Sequence, residues 1–214
     1  MLNIGASEVI LIAFFLGIGF PVHEFAHAFA AHRLGDATAK LAGRMTLNPI
    51  VHFDPLGGLI LVASVLLGGG FIIGWAKPTP VNPWNLVNRR NSEVIVALAG
   101  PFSNLVMALL GAFAFRVLLS VLDPSSASDP LVIALQTMYL FVAFNVALAI
   151  FNLLPVPPLD GSSLLFRVLP PLTAARVRPL LSQFGFIGLL LFVIVAGRYL
   201  GALIYGVADL LVGF

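Results

Sequence analysis

Cysteine is missing from all 214 residues. Its absence removes thiolate nucleophiles, thiolate metal ligands and disulfides at once, and leaves the redox compartment unmarked. Charge is nearly as scarce. Only 9% of the residues are charged and 60% are hydrophobic, with a mean hydropathy of +1.06, where soluble domains carry roughly a quarter charged. The chain therefore reads as an integral membrane protein in contact with the lipid bilayer. Its eleven Lys and Arg are thinly spread and leave a net charge of +2. No basic run is present of the kind a phosphate backbone attracts, so no nucleic-acid partner is expected. The N-terminus has neither a basic n-region nor a small-residue cleavage site, so the first apolar stretch is expected to be a retained span. Internal repeats and low-complexity tracts are also lacking, and a single domain over 1–214 is expected.

What the chain does have is long apolar runs. About 20 helical residues are needed to cross roughly 30 Å of hydrocarbon, and stretches 5–34, 94–122, 131–153 and 183–213 reach that length. Pro21 cannot donate to the carbonyl of Gly17, which predicts a kink just before His23. The last run is long enough to tilt or to break at Gly197 or Gly201. Residues 57–75 are apolar enough to span, but Gly68, Gly69 and Gly70 make a poor helix. Charge decides the threading. Arg33, Lys40 and Arg44, then Lys77, Arg89 and Arg90, then Arg167, Arg176 and Arg178 lie in connecting stretches, while 123–130 holds only Asp123 and Asp129. If 57–75 dips in and returns, all nine positive charges fall on the cytoplasmic side. Re-entrant backbone is tolerated where protein or water covers it. The expected fold is therefore an all-α polytopic membrane protein, with about four to five transmembrane helices and a re-entrant or β-hairpin segment near 40–75. Its N-terminus is expected to be extracytoplasmic.

One helix carries polar groups that hydrocarbon would reject. In "FPVHEFAHAFAAHRLG" (20–35), His23 and His27 are four residues apart and share a helix face, so both imidazoles can reach one ion. Glu24 is turned by about 100° from His23, which suits a base better than a ligand. This is the H-E-x-x-H arrangement of zinc hydrolases, although two histidines held by neighbouring helices in a proton path would have the same spacing. A catalytic zinc takes three protein ligands and keeps a position for water. Asp160 in "FNLLPVPPLDG" is the best third candidate, since Pro155, Pro157 and Pro158 end the helix and are expected to leave the chain extended beyond 154. Taken alone, Asp160–Gly161 also reads as a turn at a membrane surface. His52 and Asp54 sit in a turn-rich loop where a structural role is expected. Asn104 and Asn145 read as interhelical contacts. Arg116 and Arg198 read as snorkelling residues near span ends.

"HEFAH", "AGPFSN" (99–104) and "NLLPVPPLDG" (152–161), in that order in an apolar chain, resemble the site-2 protease family of intramembrane zinc metalloproteases. "LNPIVHFDPLGG" (47–58) and "GWAKPTPVN" (74–82) are further similar to stretches of small prokaryotic members. The resemblance covers about residues 15–170. It implies one zinc per chain held by His23, His27 and Asp160, with Glu24 as catalytic base. It further implies cleavage of transmembrane substrate proteins, single-span ones being expected, in the plasma membrane of a prokaryote, with the site opening to the cytoplasm. A comparable Asn belongs to the family motif, which makes Asn152 the candidate oxyanion donor beside its alternative role as a packing contact. Two departures stand out. Many members carry a span before the metal helix, and many carry a PDZ or C-terminal regulatory domain, for which these loops have no room. A groove between helices is then expected to select substrates. The rival from another class is a transporter or channel for metal ions or protons that uses the same groups as transit sites. A single ligand set with an adjacent base and no repeat argues for hydrolysis.

Overall fold

The apolar runs form long helices, and the polar segments between them form short helices and turns. We describe the protein from a computed structural model, over residues 15–66, 74–121 and 129–213 together with Val9 and Ala13. A π-helical turn, Phe15–Gly19, leads into α1, Phe20–Arg33. Three short helices follow: α2 (Thr38–Leu41), α3 (Pro49–His52) and α4 (Pro55–Leu66). An extended strap over 74–82 and a 3₁₀ turn, Pro83–Asn85, lead to α5, Arg89–Val121. Then come α6 (Asp129–Asn152), α7 (Ser162–Val168) and α8 (Pro171–Val212).

No strand occurs among the described residues, so the β-hairpin option for 40–75 is not realised there. Gly68, Gly69 and Gly70 lie outside the described residues. Where the chain resumes, it is back at the start of α4. A methyl group on Gly57 would lie 2.2 Å from the Trp75 carbonyl oxygen, and one on Gly74 would lie 2.8 Å from Leu61 Cβ. Absence of side chains at both glycines permits that close approach.

Among the described residues, three helices are long and apolar enough to cross a membrane: Arg89–Val121, Pro130–Asn152 and Pro171–Val212. Each matches one expected run, but α5 and α8 begin well before 94 and 183. Of the two alternatives expected for the last run, a tilt or a break, no break occurs: Gly197 and Gly201 are accommodated within one helix from Pro171 to Val212. Eight residues of the first expected span, 5–34, all before Phe15, lie outside the described residues. Pro21 acts at its start: it occupies the first turn of α1, where a missing N–H is tolerated. The irregularity falls just upstream, as the π-helical turn.

The core lies between α5, α6 and α8. Ala108, Ala112 and Phe115 meet Val142, Ala143 and Val146, closed by Ala208 and Val212. Alanines at this seam let the backbones approach, which strengthens packing where lipid offers no hydrophobic drive. Helix α1 packs against α5. That contact, together with the end of α6, positions the polar groups.

Candidate metal centre and catalytic base

Helix α1 presents His23 and His27 toward α5, and both are buried. His23 Nδ1–H donates to Asn104 Oδ1 at 2.6 Å, and Asn104 Nδ2 donates to Asn145 Oδ1 at 3.1 Å. Asn145 Nδ2 in turn donates to the Phe141 carbonyl at 2.9 Å. His27 Nδ1–H donates to the Val96 carbonyl at 2.7 Å. With each Nδ1 carrying the proton, each Nε2 keeps its lone pair for an ion, the arrangement in which outer partners fix tautomer and ring direction.

The third group arrives from the turn after α6. Prolines 155, 157 and 158 do not leave an extended run, as their helix-breaking character alone predicts. Fixed φ at proline suits turns equally well, and the segment closes on itself through Leu159 N–H to the Val156 carbonyl (2.9 Å) and Gly161 N–H to the Asn152 carbonyl (2.7 Å). Gly161 makes this possible, since a Cβ there would sit 2.2 Å from the Leu153 oxygen. The closed turn carries Asp160 onto the histidines. Asp160 Oδ2 lies 3.2 Å from His23 Nε2 and 3.3 Å from His27 Nε2, and the two Nε2 atoms are 3.0 Å apart. Donor atoms about 2.0–2.1 Å from a tetrahedral zinc stand about 3.3 Å from one another. Asp160 Oδ2 is also buried without an aligned hydrogen bond, an expensive state for a carboxylate that a cation relieves. These residues fit a metal ion, and they form the one such group found among the described residues.

Gly100 backs the site. A methyl group there would lie 2.4 Å from His27 Nε2 and 2.6 Å from His23 Nε2. Sequence reasoning missed this role; it read Asn104 as an interhelical contact, which it is, without identifying His23 as its partner. The signal was the "AGPFSN" spacing: Gly100 and Asn104 are four apart, hence on one face of α5.

Glu24 is buried beside the histidines, its Oε2 accepting the Thr79 N–H at 2.8 Å. Thr79 Oγ1 donates to the Glu24 carbonyl at 3.2 Å. Asn152 donates one amide hydrogen back to the Leu148 carbonyl at 3.1 Å. His23, Glu24, His27, Asn152 and Asp160 all line one cavity of about 1060 Å³, walled by the strap, α6 and α8. His52 stands apart. It is buried, with Nε2 on the Thr46 carbonyl at 2.8 Å and its own carbonyl accepting Lys77 N–H at 2.8 Å, a structural place. Arg116 does not simply snorkel: it donates to the Leu210 carbonyl at 2.9 Å, near the end of α8.

The chain matches the model of peptidase family M50 over residues 11–193. It is 38% identical over 182 residues to a Bacillus subtilis protein named "Putative zinc metalloprotease YwhC", covering 85% of this chain and 80% of that one. It is 35% identical over 184 residues to "Putative zinc metalloprotease Rip2" of Mycobacterium tuberculosis, covering 85% of this chain and 65% of the relative. The Rip2 of Mycolicibacterium smegmatis is 33% identical over 167 residues, covering 78% and 60%. The chain thus spans less than two thirds of the Rip2 proteins' length. No solved structure matches it.

Proposed function

Because this chain belongs to peptidase family M50, the site-2 proteases, we propose that it is a zinc-dependent intramembrane endopeptidase. It holds one zinc per chain on His23, His27 and Asp160 and cleaves transmembrane proteins. The observation that carries this reading is the three-atom cluster at 3.0–3.3 Å spacing, with each imidazole pinned through Nδ1 and a carboxylate alongside. Zinc held there by His23, His27 and Asp160 would supply Lewis-acid chemistry and make water at the site a better nucleophile near neutral pH. Glu24 is the base. The Thr79 N–H occupies its Oε2, so Oε1 is the oxygen that takes a proton and returns it to the leaving amine. Asn152 is the candidate donor to the developing oxyanion, through the amide hydrogen not given to Leu148.

The same reading extends to placement. The return of Gly74 and Trp75 to Gly57 and Leu61 supports a segment that leaves and re-enters on one side. All nine loop cations then face the cytoplasm, with the site opening there in a plasma membrane and the N-terminus outside. The whole of 1–214 acts as one domain. A transporter is not favoured, since a single metal-ligand group, adjacent to a base, is found among the described residues.

Incubating the purified protein with single-span substrates, with and without chelator, tests the activity, and Glu24→Gln tests the mechanism. This near-isosteric change is expected to keep zinc and lower kcat by about 10²–10⁴-fold. Cleavage by Glu24→Gln at a rate near wild type would sink the assignment.

A further inference from the structure

Among the described residues, Arg44 is a cation without an anion. It is 5% exposed, it enters none of the ion pairs among the described residues, and its Nε has no hydrogen-bond partner. A buried charge in that state is costly. Its guanidinium fork reaches only backbone: NH1 donates to the Val51 carbonyl, and NH2 to the carbonyls of Lys77 and Pro78. The first belongs to α3 and the other two to the strap.

The strap sequence explains why such a clamp is needed. In "KPTP" (77–80), Pro78 and Pro80 have no N–H, so the segment cannot be held by a regular ladder. The only backbone donors from 77 to 80 are on Lys77 and Thr79. Lys77 N–H goes to the His52 carbonyl, and Thr79 N–H goes to Glu24 Oε2. The Pro78 carbonyl and the Thr79 N–H belong to one planar trans peptide. Arg44 therefore grips one end of the peptide unit whose other end points at the carboxylate. Rotating that unit breaks both contacts together.

We propose that Arg44 is a positioning residue for Glu24, acting through the Pro78–Thr79 peptide; the assignment rests on the protease reading above. A fork is required because one Arg side chain spans two chain segments, whereas Lys offers a single compact ammonium. Two substitutions interrupt the route at different points. Arg44→Gln removes the clamp, and Thr79→Pro removes the N–H that the clamp aims.

Expected for either variant is a fall in kcat of about 10–100-fold, with KM within twofold and zinc content unchanged. Arg44→Lys should fall between wild type and Arg44→Gln. The double variant should be no slower than the worse single one, because both act through one contact. A second readout needs no turnover: Thr79 holds the sole backbone amide between two prolines, so its hydrogen exchange can be followed alone. In Arg44→Gln or Arg44→Lys that exchange should quicken about 10-fold or more. A kcat within twofold of wild type for Thr79→Pro, additive losses in the double variant, or unchanged Thr79 exchange would overturn the proposal. If Arg44→Gln does not fold, Arg44→Lys and Thr79→Pro decide it. If wild-type protein cleaves no substrate, the protease reading fails, while the exchange result still decides whether Arg44 aims that peptide.

Discussion

A methyl group added at Gly100 of α5 would sit 2.4 Å from His27 Nε2, whereas one added at Gly201 of α8, which lines the same cavity, would meet no atom within 4 Å. The ligand side is knitted by hydrogen bonds from α1 to α5, from α5 to α6, and from the strap to Glu24. The α8 side is nearly bare helix: its buried residues are Gly185, Leu189, Ala208 and Val212, whereas the shorter α5 buries nine. The contrast separates two needs. Ligand atoms must be preset within tenths of an ångström, which takes packing and outer partners. Under the proposed function a substrate chain would need room, and the loosely enclosed helix would leave it.

The same substitution on both sides should therefore give opposite results, and this is the largest difference expected. Gly100→Ala forces the imidazoles apart, so zinc affinity should drop by about 100-fold or more and proteolysis should vanish. Gly201→Ala should bind zinc within twofold of wild type. Zinc per chain after equilibrium dialysis checks both. Undiminished zinc in Gly100→Ala would break the contrast.

Next in size is the relay behind His23. Asn104→Ala leaves Nδ1 without its acceptor, and zinc affinity should fall by about 10–100-fold. Asn145→Ala should cost less, because Asn145 reaches the imidazole only through Asn104. Equal losses in the two, measured by competition with a chelator of known affinity, would contradict a relay and indicate general loosening of the α5–α6 seam.

This contrast also marks what the sequence made legible. His23, Glu24 and His27 could be placed from spacing, because helical periodicity fixes which residues share a face. Three apolar runs could be placed because length and hydropathy set a span. Asp160 was named, but its route was not: "PVPPLDG" reads as a helix stop, whereas the fold uses it as a turn that closes on Gly161. The helix ends near 89 and 171 were missed because polar residues there continue a helix past the apolar run. Asn104 and Gly100 were hidden for a different reason. Their partners on α1, His23 and His27, are more than 70 residues away, and no local pattern encodes a contact between α1 and α5.

A smaller effect concerns the roomy side. Under the function proposed above, a helical substrate would shield its scissile bond and would have to unwind before Glu24 and the metal site could act on it. Each Ala→Gly change near that bond makes opening easier by about 1 kcal/mol, so cleavage should quicken by about 5-fold per glycine. A continuous Leu/Ala helix should resist. Equal rates on broken and unbroken helices would show that unwinding does not limit the reaction, and would remove the functional meaning given to the open wall.

The last effect is one of pH, read in stability rather than in activity, and it belongs to the knitted side. Asp36, in the turn after α1, anchors the far end of the strap: its Oδ2 accepts Asn82 N–H at 2.6 Å, and its Oδ1 accepts from Asn85 at 2.9 Å and from Thr38 N–H at 3.0 Å. Burial pushes its carboxyl upward, but hydrogen bonds from Thr38, Asn85 and Asn82 outweigh that and hold it below its ordinary 3.8. A carboxyl with a lowered folded-state pKa contributes stability that is complete above the unfolded value. That contribution is lost as pH falls through the folded one. The Tm gap between wild type and Asp36→Asn should therefore stay constant from neutral pH down to the ordinary carboxylate range and narrow only below it. At neutral pH the gap should correspond to about 1.5–3 kcal/mol, the worth of a hydrogen bond to a charged group. Asn can accept at one oxygen but presents an NH₂ to Asn82 N–H, so the substitution breaks the strap anchor without removing bulk. A gap that closes well above the carboxylate range, or widens toward acid, would show that Asp36 is not what pins the strap. The ordered side of the cavity would then owe its geometry to Arg44 and the metal-site contacts alone.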